Sequence, residues 1–232
     1  MKAQAGAIMF SGFPGPGLIG QIAASEMAQQ LNLAEVAHLK SSLLPPMAVF
    51  IRGVLRFPIR IYANDLQTIF VTVSDVPVPS RALYHVGGKL VEWASEKGID
   101  ELVCLEGIPT DEKSEPIRVC GVAEPEVLEQ LKMNDVQCHN AGYVAGVSGV
   151  VLNECLERKI RGLCLLVPAA PKVPDPQSAA ILLEKVNAIY GLTINVSSLL
   201  AQIGLFKNQM KDVAESVRKV AESDSEDRRM YA

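Results

Sequence analysis

The chain has 232 residues, of which 49% are apolar and 21% charged, and it carries a formal net charge of −4. That composition supplies a sizeable core and excludes a disordered chain. The charges are of mixed sign with no Lys/Arg cluster, which excludes a surface built to neutralise a run of phosphates, so no nucleic-acid partner is expected.

Residues 1–17 contain one Lys and a short apolar run that Ser11, Gly12 and Pro14 interrupt before it reaches signal-peptide length. No other run approaches the roughly 18 apolar residues needed to span a bilayer. A cytoplasmic protein without a membrane partner is expected. The five cysteines, Cys104, Cys120, Cys138, Cys155 and Cys164, show none of the two-residue spacings that hold zinc or form a redox pair. They read as buried, reduced thiols, and no bound metal is expected.

In chain order, residues 7–11 form a short apolar run that ends in Gly12-Phe13-Pro14-Gly15-Pro16-Gly17, and residues 18–31 then carry apolar side chains at helical spacing. This predicts strand, tight turn, helix. A second strand is expected over residues 36–39. Residues 48–51, 60–62 and 68–73 are β-rich runs punctuated by Arg52-Gly53 and Asn64-Asp65, and they read as an antiparallel meander. From Ser80 helix and strand alternate. A helix through Leu90 and Trp93 stops at Gly98 and a buried strand follows over residues 102–105. A strand near Val119, a helix over residues 127–131, a helix over residues 149–157 and an apolar strand over residues 163–167 complete a second unit. After a Pro-rich loop, helices are expected over residues 178–190 and from Leu199 onward. Apolar strands separated by helices predict an α/β protein with a mainly parallel sheet covered on both faces, and a single domain over residues 1–221.

The last helix carries Leu199, Ile203, Phe206, Met210, Val213, Val217 and Val220 at alternating steps of four and three, a heptad seam. Such a seam serves either a subunit contact or an amphipathic helix lying on its own domain.

Several constellations bear on chemistry. Gly15-Pro16-Gly17-Leu18-Ile19-Gly20 fits the spacing of a dinucleotide fingerprint between strand and helix. Pro14 and Pro16, however, remove N–H donors a pyrophosphate would use, and the next strand ends in Ala37-His38-Leu39-Lys40 without an acidic residue. A structural turn and no dinucleotide cofactor are expected. Gly146-Val147-Ser148-Gly149 has the wrong spacing for a nucleophile elbow, and His38, His85 and His139 have no recognisable partner as a base, so Ser148 reads as the N-cap region of a helix. Asp75 and Glu106 each follow an apolar strand and so reach the carboxyl edge of the sheet. They are the best enzymatic candidates, with no metal ligands or base-orienting partner to define a reaction.

Residues 222–229 are strongly polar and read as a flexible tail, together with Met230-Tyr231-Ala232. An apolar side chain, a tyrosine and a terminal carboxylate make a compact ligand for a pocket holding a cation.

Over nearly its whole length the chain resembles the proteasome assembly chaperone 2 family. The resemblance lies in the residues from Gly12 to Gly20, the Leu44-Pro45-Pro46 turn with residues 53–58, Glu106-Gly107-Ile108-Pro109, residues 146–153, and Pro174-Asp175-Pro176 with its following helix. It implies a three-layer α/β/α core similar to nucleoside phosphorylases, C-terminal helices, and, as in archaeal members, a homo-oligomer. It also implies that a hydrophobic-tyrosine-any tail docks between α-subunits of the proteasome core particle. Ala232 would then pair with a pocket lysine, Tyr231 fill the cleft and Met230 pack at its rim. No catalytic residue comes with the resemblance. A binding module for the proteasome α-ring is the leading reading, an enzyme with a phosphorylase- or hydrolase-like pocket using Asp75 and Glu106 the alternative, and a nucleotide-binding regulator a third.

Overall fold

The first apolar run forms β1 (Ile8–Gly12), and after a single 3-10 turn the chain enters α1 (Ile19–Gln30). β2 (Ala34–Leu39), β3 (Val49–Ile51), β4 (Val54–Arg56), β5 (Ile59–Ala63) and β6 (Ile69–Ser74) follow. Helices and strands then alternate as α2 (Leu83–Lys97), β7 (Glu101–Pro109), β8 (Cys120–Ala123), α3 (Pro125–Met133), β9 (Gln137–Cys138), α4 (Gly146–Arg158), β10 (Arg161–Ala169), α5 (Pro176–Tyr190) and α6 (Val196–Ala201). These elements are those of a computed structural model that describes residues 2–110, 116–138, 140–171 and 173–201.

Eight strands make one sheet in the order β2-β5-β6-β1-β7-β10-β8-β9. The inner four, β6, β1, β7 and β10, run parallel; β5 pairs antiparallel with β2 and β6, and β8 antiparallel with β10 and parallel with β9. Burial explains which strands sit inside. β7 reads Glu-Leu-Val-Cys-Leu-Glu-Gly-Ile-Pro and is buried along its first five residues, as a central parallel strand covered on both faces must be. α1 and α5 cover one face over Phe10, Val71, Val103 and Leu165. α2 and α4 cover the other over Met9, Phe70, Leu102 and Cys164. The result is the expected three-layer α/β/α arrangement with a mixed, mainly parallel sheet.

Local chemistry sets the element ends. Gly98, at φ 81°, closes α2 in the left-handed conformation that glycine adopts without steric cost. Asp175 caps α5 by accepting from the Ser178 N–H at 3.2 Å, with Pro176 at the first helical position where a missing N–H does no harm.

The meander departs from expectation in one place. Residues 49–51 do not join the main sheet but fold back on β4 as a separate two-stranded hairpin. Arg52 and Gly53 both have positive φ, 51° and 77°, the type I′ turn whose twist suits a two-residue hairpin. The antiparallel meander is instead β2, β5 and β6. Leu199, the first residue of the heptad seam, lies in α6 and is buried on this same body at 1% exposure. Ile203, Phe206, Met210, Val213, Val217 and Val220 lie outside the described residues, as do Met230, Tyr231 and Ala232.

Among the described residues no helix is long and apolar enough to cross a membrane. Cys104, Cys155 and Cys164 are free and buried as expected, while Cys120 and Cys138 are only half-buried.

Candidate functional site

The segments singled out along the sequence converge on one edge of the sheet. β1, β7 and β10 all end there, and the turn after β1 lies directly against the backbone of β7. A Cβ on Gly20 would overlap the Leu105 carbonyl, one on Gly12 the Gly20 carbonyl, and one on Gly107 the Pro16 carbonyl. The glycines of the 12–20 segment are therefore packing residues that let α1 and its turn settle onto β7. Gly17, at φ 64°, also accepts the Asp175 N–H at 2.9 Å through its carbonyl, tying the Pro174-Asp175-Pro176 motif to the same turn. The Asp175 carboxylate also accepts from the Ser178 hydroxyl at 3.0 Å. Asp175 escaped sequence reasoning as part of this edge. The signal was present in an Asp-Pro pair with a serine three residues after the Asp, which is an N-cap pattern.

Beside these turns opens a cavity of about 880 Å³. Phe13, Val78, Leu83, Ile108, Val122 and Leu166 give it apolar walls, and residues 141–147, with the fully uncovered ring of Tyr143, form one side. Glu106 lies in the wall. Its Oε2 accepts from Ser148 Oγ at 2.9 Å and its Oε1 from the Gly107 N–H at 3.2 Å. Gly15 leaves the space for this carboxylate, since a Cβ there would overlap Oε1. Burial raises the Glu106 carboxyl above its ordinary value, against the lowering effect of the Ser148 hydroxyl and the Gly107 N–H.

This geometry corrects two expectations. Ser148 does not cap α4. The cap is Ala145, without a side-chain bond, and Ser148 sits inside the first turn with its hydroxyl on Glu106. Glu106 does not follow its strand but lies within β7, which continues to Pro109.

Asp75 and Glu106 are not brought together. Asp75 follows β6, two strands from β7 in the sheet order, and is not among the residues lining the cavity. It pairs with Arg60, whose side chain is 3% exposed and which also donates to Tyr62 Oη at 2.7 Å and to the Phe57 carbonyl at 2.6 Å. Burial opposes the Arg60 charge, and the Asp75 carboxylate together with the Tyr62 hydroxyl more than offsets it, so the guanidinium is held above its ordinary pKa. Asp75 is thus the counter-ion of a buried arginine. Of the histidines, His38 is exposed on β2 and stacked on Phe57 with ring centroids 3.5 Å apart, and His85 is exposed on α2. His139 lies outside the described residues. A glycine turn that faces a carboxylate is also poorly suited to a pyrophosphate. Among the described residues, no group of three His, Cys, Asp or Glu side chains is placed to hold a metal ion.

Residues 9–214 match the model of the PAC2 family. The chain belongs to the PAC2 family. Its curated relatives include an uncharacterized protein of Methanocaldococcus jannaschii, 29% identical and covering 97% of this chain and 92% of the relative. Among solved structures, a protein of unknown function from Thermoplasma acidophilum is 35% identical with a TM-score of 0.87 over 94% of this chain and 90% of that one. Pyrococcus furiosus PbaA, an archaeal homolog of proteasome-assembly chaperone, superposes with a TM-score of 0.87 at 24% identity, covering 95% of this chain and 97% of PbaA. Pyrococcus furiosus PbaB, an archaeal proteasome activator, has a TM-score of 0.74 at 23% identity over 93% of each chain. These last two likenesses establish a common fold.

Proposed function

We propose that this PAC2-family chain is a non-enzymatic proteasome-binding protein, an assembly chaperone or adaptor that engages the α-ring of the core particle. The observation that carries the reading is the shared fold, over nearly the whole chain, with an archaeal homolog of proteasome-assembly chaperone and an archaeal proteasome activator. The partnered state of the acidic candidates is consistent with it. Asp75 neutralises Arg60, and Glu106 is bonded to its own strand and to α4.

Docking would run through Met230, Tyr231 and Ala232 at the end of the polar 222–232 segment. Eleven residues reach at most roughly 40 Å when fully extended, enough for the tripeptide to leave the body. One tripeptide is a weak ligand, so the reading also requires a homo-oligomer. Several tails engaging several pockets of one ring gain a factor of about 10²–10⁴ by effective concentration. The seam beyond Leu199, which the body itself buries, is one candidate contact in such an oligomer, from Ile203 to Val220. The β3–β4 hairpin is another, because it exposes Phe50, Ile51, Val54 and Leu55 together. A pull-down against purified archaeal proteasome α-rings tests the role. Capture of the chain at stoichiometric levels is expected, and failure to bind either α-rings or complete core particles would overturn it.

A further inference from the structure

The cavity at the carboxyl edge has no part in the proposed proteasome docking. Its volume lies within the roughly 300–1,000 Å³ of small-molecule sites, and its walls are apolar. Among the described lining residues Glu106 is the one charged side chain. Pro14, Pro16 and Pro109 have no N–H to offer, and the Ser148 hydroxyl and the Gly107 N–H are already engaged by Glu106. The N-terminus of α4 faces the same space, and the anion that answers its partial positive charge is the Glu106 carboxylate, held through Ser148. Among the described lining residues, what this pocket lacks is a cation. Tyr143, 94% exposed on the rim, adds a ring face able to cover one.

We propose that the cavity binds a small molecule with a primary ammonium group on an apolar body, the ammonium pairing with Glu106 and the body packing on Phe13, Leu83, Ile108 and Leu166. The second oxygen lone pairs of a carboxylate that accepts one bond on each oxygen remain for the ligand. Ligand binding restores the charge that burial disfavours, so the site prefers an ammonium over a neutral amide of the same body, and excludes carboxylates and phosphates.

The test uses the full chain with dansylcadaverine, a fluorescent primary amine, and dansylamide, which has the same ring system and no ammonium. Fluorescence titration at pH 8 should show saturable binding of dansylcadaverine, at least about tenfold tighter than dansylamide, as expected for a charge-assisted bond in a sheltered site. Glu106→Gln keeps the shape of the side chain and should reduce dansylcadaverine affinity to that of dansylamide, while leaving dansylamide affinity unchanged as a check on the pocket. Ile108→Trp should weaken both probes by filling the cavity. Lowering the pH toward the raised Glu106 value leaves the amine charged and begins to protonate Glu106, so the preference for dansylcadaverine should shrink. Equal affinity for the two probes, an unchanged preference in Glu106→Gln, or no saturable binding of either would overturn the proposal. None of these results depends on proteasome binding.

Discussion

Arg60 and Asp75 form a pair whose removal has a calculable direction. Arg60 is 2% exposed, and its guanidinium is held by Asp75, Tyr62 and the Phe57 carbonyl. Asp75→Asn leaves a buried charge uncompensated and should cost about 3 kcal/mol in urea unfolding. Adding Arg60→Met should recover part of that loss, and a single variant as stable as the native chain would contradict the assignment. Glu106 makes a prediction with the opposite character. Its carboxyl is raised by burial, so the folded state binds more protons than the unfolded one. Its contribution to stability is complete below the unfolded value and is lost as pH rises through the folded value. Relative to Glu106→Gln, the thermal midpoint of the native chain should therefore fall as pH rises from about 4 through the raised value. A pH-independent difference would contradict it. The position of Glu106 at the carboxyl edge was legible in the sequence, because an apolar run precedes it. Its partners were not, since Ser148 lies 42 residues away and only the parallel sheet brings α4 and β7 together.

At the scale of elements, the α/β alternation after Ser80 was readable because its main helices and strands, α2, β7, α4, β10 and α5, are long, apolar on the face they bury, and bounded by residues such as Gly98 and Asp175. Two elements were not readable. β4 spans three residues, all exposed, and β9 only two, too short for any periodicity to register. The Arg52-Gly53 step did carry a hairpin signal, yet it was read as punctuation inside a longer meander. That hairpin now makes its own prediction. Phe50 and Leu55, a cross-strand pair, are 70% and 73% exposed, so Asp at both positions buries no charge in the isolated body. Phe50→Asp with Leu55→Asp should lower the sedimenting mass of the proposed homo-oligomer and leave the thermal midpoint within a few degrees. A native chain that sediments as a monomer, or an assembly indifferent to both changes, would exclude the hairpin as a contact.

For the molecule as a whole, the body and the C-terminal segment carry separate parts of the proposed function. The described body buries its own core, and under the proposed reading the ligand at Met230, Tyr231 and Ala232 acts apart from it. Binding and stability should therefore separate cleanly. The most direct measurement is the affinity of the full chain for purified α-rings, compared with chains carrying Tyr231→Ala or one glycine appended after Ala232. The account predicts that each change abolishes ring binding while the oligomer mass and thermal midpoint stay as they were. Undiminished affinity in either chain would contradict docking through this tail, and would place any proteasome contact on the folded body.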